Sequence, residues 1–162
     1  MKRRAMRSAA VVAIAFLAVA CGSSGSKATP TTAPSGGGGG VTVPAADGTP
    51  VAVTASDQSE TAQKFDFSTV SVAAGKVTFT LDNKGNRQHE LIVLKTDETF
   101  DALKVGADNK VSEDASVGEI PETDAGKTGQ VTLDLKPGKY VLVCNIEKHY
   151  AQGMKIAFTV TG

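Results

Sequence analysis

KPGKYVLVCNIEKHYAQGMKIAFTV, residues 136–160, holds a turn, two apolar runs and, between them, a cysteine, a histidine and a methionine at equal spacing. Lys136-Pro137-Gly138-Lys139 is turn chemistry, because proline presets one backbone angle and glycine frees the next. Tyr140-Val141-Leu142-Val143-Cys144 then reads as a strand. In MKIAFTV, Met154, Ile156, Phe158 and Val160 alternate with Lys155, Ala157 and Thr159, the period of two that a half-buried strand imposes. The same rhythm extends upstream. Val77, Phe79 and Leu81 alternate with Lys76, Thr78 and Thr80; His89–Leu94 is a further run after the turn residues 82–87, DNKGNR; Val131, Leu133 and Leu135 alternate again. Phe65, Phe67, Val70 and Val72 indicate one or two more strands before Gly75.

Several short strands separated by Gly, Pro and Asn turns predict an all-β domain, a sandwich or barrel of antiparallel sheets. One segment breaks the rhythm. Residues 96–125 carry nine acids against Lys104 and Lys110. They read as an acidic surface excursion with a short helix over Thr99–Val105, whose Phe100, Leu103 and Val105 dock on the sandwich. A solvated connection is the preferred reading of its charge, ahead of a docking face for a basic partner.

The folded domain is assigned to residues 51–162, a size that one hydrophobic core can serve. Residues 1–20 read as a signal peptide: Lys2, Arg3, Arg4 and Arg7 precede an apolar run over 8–20 that falls short of the about 20 apolar residues a membrane span needs. The small residues around Cys21 resemble the cleavage site of bacterial lipoproteins, which implies a lipid on Cys21 as the new N-terminus. Ordinary secretion as a soluble or periplasmic protein is the alternative. Residues 21–50, rich in Gly, Ser, Thr and Pro, form a flexible linker that cannot offset the entropy of ordering it. The whole chain has 17 basic and 17 acidic residues; without the four basic residues of the signal it has 13 against 17, a net charge of −4. With no basic stripe, nucleic acid is not expected as a partner.

Exported cysteines normally pair. Here the chain has two, and Cys21 lies beyond the linker, so Cys144 is either a buried inert thiol or a ligand. Its company favours the second. Cys144, His149 and Met154 fall within eleven consecutive residues, and the other histidine, His89, begins a strand. Two imidazoles, a thiolate and a thioether suit copper, whereas a structural zinc site would call on more cysteines or histidines.

Cys144-x4-His149-x4-Met154, an apolar strand before it and His89 upstream together resemble the type 1 copper site of the cupredoxins, the blue-copper family of plastocyanin, azurin and auracyanin. The resemblance covers about residues 60–162. It implies an eight-stranded Greek-key β-sandwich holding one copper ion, with His89, Cys144 and His149 in the plane, Met154 as a weak axial ligand, and the Gln88 carbonyl as a distant oxygen on the opposite side. It also implies an apolar docking patch around the second histidine, for which Ile146, Tyr150 and Ala151 are the candidates; Tyr150 reads equally as a ring shielding the loop. Many relatives follow the upstream histidine with asparagine, which ties the two ligand loops together, and Glu90 is a departure from that pattern.

The function implied is one-electron transfer between redox proteins by a monomeric carrier, lipid-anchored at the outer face of the cytoplasmic membrane. Copper storage or delivery is the alternative, weakened because the chain has no surplus of Met or His beyond the site. An enzyme is not expected. No oxyanion hole is marked for a Cys–His pair, and both histidines are committed to the one centre.

Overall fold

Turn residues divide residues 47–162, the part described by the computed structural model, into nine strands: β1 (Thr49–Ser59), β2 (Ala62–Phe67), β3 (Ser71–Ala73), β4 (Gly75–Asn83), β5 (His89–Lys95), β6 (Ser116–Thr123), β7 (Thr128–Leu135), β8 (Gly138–Val143) and β9 (Lys155–Thr161). The signal peptide, Cys21 and nearly all of the linker lie outside the described residues. The strand β1 takes in Thr49 and Pro50, two residues before the assigned boundary at 51.

Two sheets form, in the orders β2-β1-β4-β7 and β3-β9-β8-β5-β6. The all-β sandwich expected from the alternation is thus present, with two differences. Both sheets are mixed, because β1 runs parallel to β4 and β3 parallel to β9. There are also nine strands among the described residues rather than eight, the shortest being the three-residue β3.

Inward positions of both sheets make the main core. Val51, Val53 and Ala55 of β1 and Val77, Phe79 and Leu81 of β4 face Leu91, Val93, Leu142 and Phe158. Phe79 and Phe158 meet edge to face with centroids 5.5 Å apart, the geometry favoured by the ring quadrupoles. On β1 and β4 the inward run ends, at the same end of the sandwich, in a polar residue: Asp57 on β1 and the fully buried Asn83 on β4.

A second apolar cluster lies on the other face of the five-stranded sheet, where Ile92, Leu94, Val141 and Val143 pack with Val111 and Tyr150, and Leu103 leans on them. The acidic segment therefore covers β5 and β8. That is why these two strands read as nearly continuous apolar runs rather than alternating ones. Its structure differs from the expectation. No helix forms over Thr99–Val105; Leu103 docks, while Phe100 and Val105 remain exposed, and Val105 forms a β-bridge with Val111. Within the same segment, β6 pairs with β5 as an edge strand and tolerates Pro121 there.

Candidate metal centre

At the end of the sandwich marked by Asp57 and Asn83, His89, Cys144 and His149 bring one ligand atom each to within 4.8 Å of one another, all three residues buried. His89 is the first residue of β5, and Cys144 directly follows β8, which lies beside β5 in the sheet. Sheet pairing thus joins residues 55 positions apart. The backbone N–H of Glu90 donates to Cys144 Sγ at 3.5 Å, and the ring Nδ1 of His149 lies 3.4 Å from the same sulfur.

The loop after Cys144 folds back on itself. His149 N–H donates to the Ile146 carbonyl, and Gln152 N–H to that of Lys148, both at 2.9 Å. Met154 is pinned beside Cys144 by its main chain: its N–H donates to the His149 carbonyl and its carbonyl accepts from the Cys144 N–H, each at 3.1 Å. Its side chain is fully buried in the core. Gly153 has φ +117°, and a Cβ there would stand 2.9 Å from the Gln63 carbonyl, so the return of the loop past the start of β2 requires glycine.

Burial sets the protonation of the donors. Desolvation pushes the Cys144 thiol up to about 12, although N–H groups of Glu90 and Ile146 partly oppose this. Desolvation likewise lowers the pKa of His89, against the opposing carboxylate of Asp57, and that of His149, where the neighbouring His89 adds to it. The imidazoles are therefore neutral near pH 7, the form that binds metal. His89 Nδ1 is buried with no hydrogen-bond partner, an expensive state for a ring nitrogen unless another atom takes its lone pair. An orphaned imidazole nitrogen beside a thiol, a second imidazole and a buried methionine fits copper.

Three supporting residues were not legible as such in the sequence. Asp57 Oδ1 lies 3.1 Å from His89 Nε2. Asn83 Nδ2 donates to the carbonyls of Arg87 at 2.7 Å and Thr123 at 2.9 Å, while its Oδ1 accepts from Gly85 N–H, which shapes the loop leading into His89. Asn145 bonds both ways with the main chain of Val111 and donates to Glu113, so the acidic segment braces the ligand loop. The one available signal was a polar residue standing in phase with an inward apolar run, as Asp57 does after Val51, Val53 and Ala55 and Asn83 does after Val77, Phe79 and Leu81.

Two expectations about neighbours of the ligands are corrected. Glu90, read as a departure from the asparagine that links the ligand loops, makes that link itself: its Oε1 accepts the Asn145 N–H at 2.9 Å. A carboxylate on a side chain one methylene longer thus takes the place of the amide. Tyr150 is not part of an exposed patch. It is buried, its hydroxyl donating to the Phe100 carbonyl at 2.9 Å and accepting from the Leu103 N–H at 3.1 Å, in keeping with the shielding reading. Ala151 is exposed and Ile146 partly so. The Gln88 side chain is exposed and donates to Asp124.

Among solved structures, the chain is similar in fold to dithionite-reduced auracyanin from the photosynthetic bacterium Roseiflexus castenholzii (22% identity, TM-score 0.50, covering 68% of this chain and 97% of that one). It is similar also to auracyanin B (23%, 0.52, 74% and 94%) and to rusticyanin from Thiobacillus ferrooxidans (19%, 0.54, 71% and 79%). No curated protein matches the chain. The sequence profile described as copper binding proteins, plastocyanin/azurin family, matches residues 51–161, from the first core valine of β1 to the end of β9, and the chain belongs to that family.

Proposed function

We propose that this protein carries single electrons between redox partners outside the cytoplasm, held at the membrane by a lipid on Cys21. Copper bound by His89, Cys144, His149 and Met154 supplies a one-electron couple between its cuprous and cupric forms. The observation that carries the reading is the buried donor set, with the ligand atoms of His89, Cys144 and His149 within 4.8 Å of one another. Hydrogen bonds between Glu90 and the Cys144–Asn145 segment tie the ligand loop to β5, and those from Cys144 N–H to Met154 and from His149 N–H to Ile146 close it, so the donors have little room to rearrange between oxidation states.

Burial also argues for a carrier over a delivery protein. Exchange of copper with an acceptor calls for accessible ligands, and His149, the most exposed of the four, is only 5% exposed. The reading places redox partners over the edge of His149, beside Ile146 and Ala151. The Gln88 carbonyl is proposed as a further, weak oxygen donor that would lie near the ion.

Addition of Cu(II) to the protein is expected to give an intense visible absorption band from thiolate-to-copper charge transfer. Cys144→Ser should abolish that band while leaving a folded protein. A colourless copper complex of the wild-type chain would refute the reading.

A further inference from the structure

We propose that Asp57 is a positioning residue for the metal centre: its carboxylate accepts the Nε2–H of His89, leaves Nδ1 as the free donor, and strengthens this imidazole as a ligand for cupric ion. The inference rests on the copper reading above and adds to it a residue on β1, the strand most remote in sequence from the ligand loop.

The geometry decides the direction of each bond. Asp57 is a nearly buried acid, its side chain 7% exposed, against a His89 side chain with no exposure. One oxygen, Oδ2, accepts from the backbone N–H groups of Asn86 at 2.7 Å and Arg87 at 3.2 Å. Backbone donors cannot be turned into acceptors, so they fix the carboxylate in place and leave Oδ1 facing His89 Nε2 at 3.1 Å. A carboxylate oxygen can only accept. The proton of the neutral ring must therefore be on Nε2, and Nδ1, which has no partner of its own, carries the lone pair.

The loop is built to permit this contact. A Cβ on Gly85 would stand 2.5 Å from Asp57 Oδ2 and 3.0 Å from His89 Nε2, so any other residue there would push the pair apart. A carboxylate on the far nitrogen of a metal-binding histidine fixes its tautomer and orientation and raises its basicity. The harder cupric ion gains more from a basic imidazole than the cuprous ion, which the sulfur donors favour. Asp57 thereby holds the reduction potential below the value the four ligands would set without it.

The test is Asp57→Asn in the full chain. With its amide oxygen on Asn86 and Arg87, the asparagine NH2 faces Nε2 and drives the ring proton to Nδ1; turned the other way, it sets NH2 against two N–H groups. Either way, Cu(II) affinity is expected to fall about 10- to 100-fold, Cu(I) affinity by less, and the potential to rise. Each tenfold difference between the two losses corresponds to about 59 mV. A role confined to holding the loop would lower the melting temperature of the metal-free protein and leave the ratio of the two affinities, and the visible band, unchanged; that outcome overturns the proposal.

Should the variant not fold, long-range proton–nitrogen correlations of the His89 ring in metal-free wild type decide the question. A protonated Nε2 supports the assignment and a protonated Nδ1 overturns it. Failure of the wild-type chain to form a coloured copper complex would instead count against the copper reading, and the ring measurement needs no copper.

Discussion

At Cys144 the apo protein keeps a proton that a metal has to displace. The thiol, pushed up to about 12 by burial, is protonated throughout the physiological range, whereas copper needs the thiolate. Each unit of rising pH raises the thiolate population tenfold, so Cu(II) affinity is expected to increase about tenfold per unit above pH 7 with release of one proton per ion. Both imidazoles have pKa values lowered by burial; once pH falls far enough to protonate them, the dependence steepens and binding weakens faster. Competition titrations against a chelator of known proton affinity, run at several pH values, measure the slope. A slope of zero above pH 7 would mean that Cys144 is not the ligand. Glu90 works at the same scale, since one carboxylate oxygen bridges the strand that begins at His89 and the loop that begins at Cys144.

Among the elements, the acidic segment gains a physical role. Charge alone reads it as a solvated connection, yet it contributes Val111 and Leu103 to an apolar layer, and it grips the ligand loop through Asn145, Tyr150 and the Lys148 N–H, which donates to the Asn109 carbonyl at 3.1 Å. Its acids lie at the surface, Glu113 among them reaching the loop at Asn145, while Val111 and Leu103 pack inward and Phe100, Val105 and Val117 stay exposed. Tyr150→Phe removes one hydroxyl that serves both the Phe100 carbonyl and the Leu103 N–H. The expected cost is about 1–3 kcal/mol of local stability, because two half-buried backbone groups lose their partner. Hydrogen exchange should show the Leu103 amide opening sooner while amides of β4 and β8 keep their protection. Uniform loss of protection would show instead that the segment and the sandwich unfold as one unit.

For the whole molecule, the sandwich is the rigid support on which the centre depends. Phe79 has no exposure and packs edge to face on Phe158 across the two sheets. Phe79→Ala is expected to destabilise the domain by about 3–5 kcal/mol, measured by urea unfolding of the metal-free protein. A loss below 1 kcal/mol would show that the core collapses around the gap, contrary to the close packing inferred for it.

The sequence by itself determined the all-β class, the five strands whose apolar residues alternate or run continuously, and the His, Cys and Met candidates, of which the fold gathers His89, Cys144 and His149 into one buried cluster. Those features are written in local chemistry: side-chain period, turn residues, and three uncommon residue types within eleven positions. Two strands escaped it. The inward side chains of β1 are small and lie next to a Gly- and Pro-rich stretch, and only Ile120 and Thr123 of β6 are buried, so neither shows a strong apolar period. The tertiary structure alone decided that β1 lies parallel to β4, that Asp57 meets His89, that Glu90 replaces an amide link, and that Tyr150 turns inward. Each of these is a contact between segments distant along the chain. Its energy depends on sheet register and on what water is excluded, and neither is a property of any short stretch of residues.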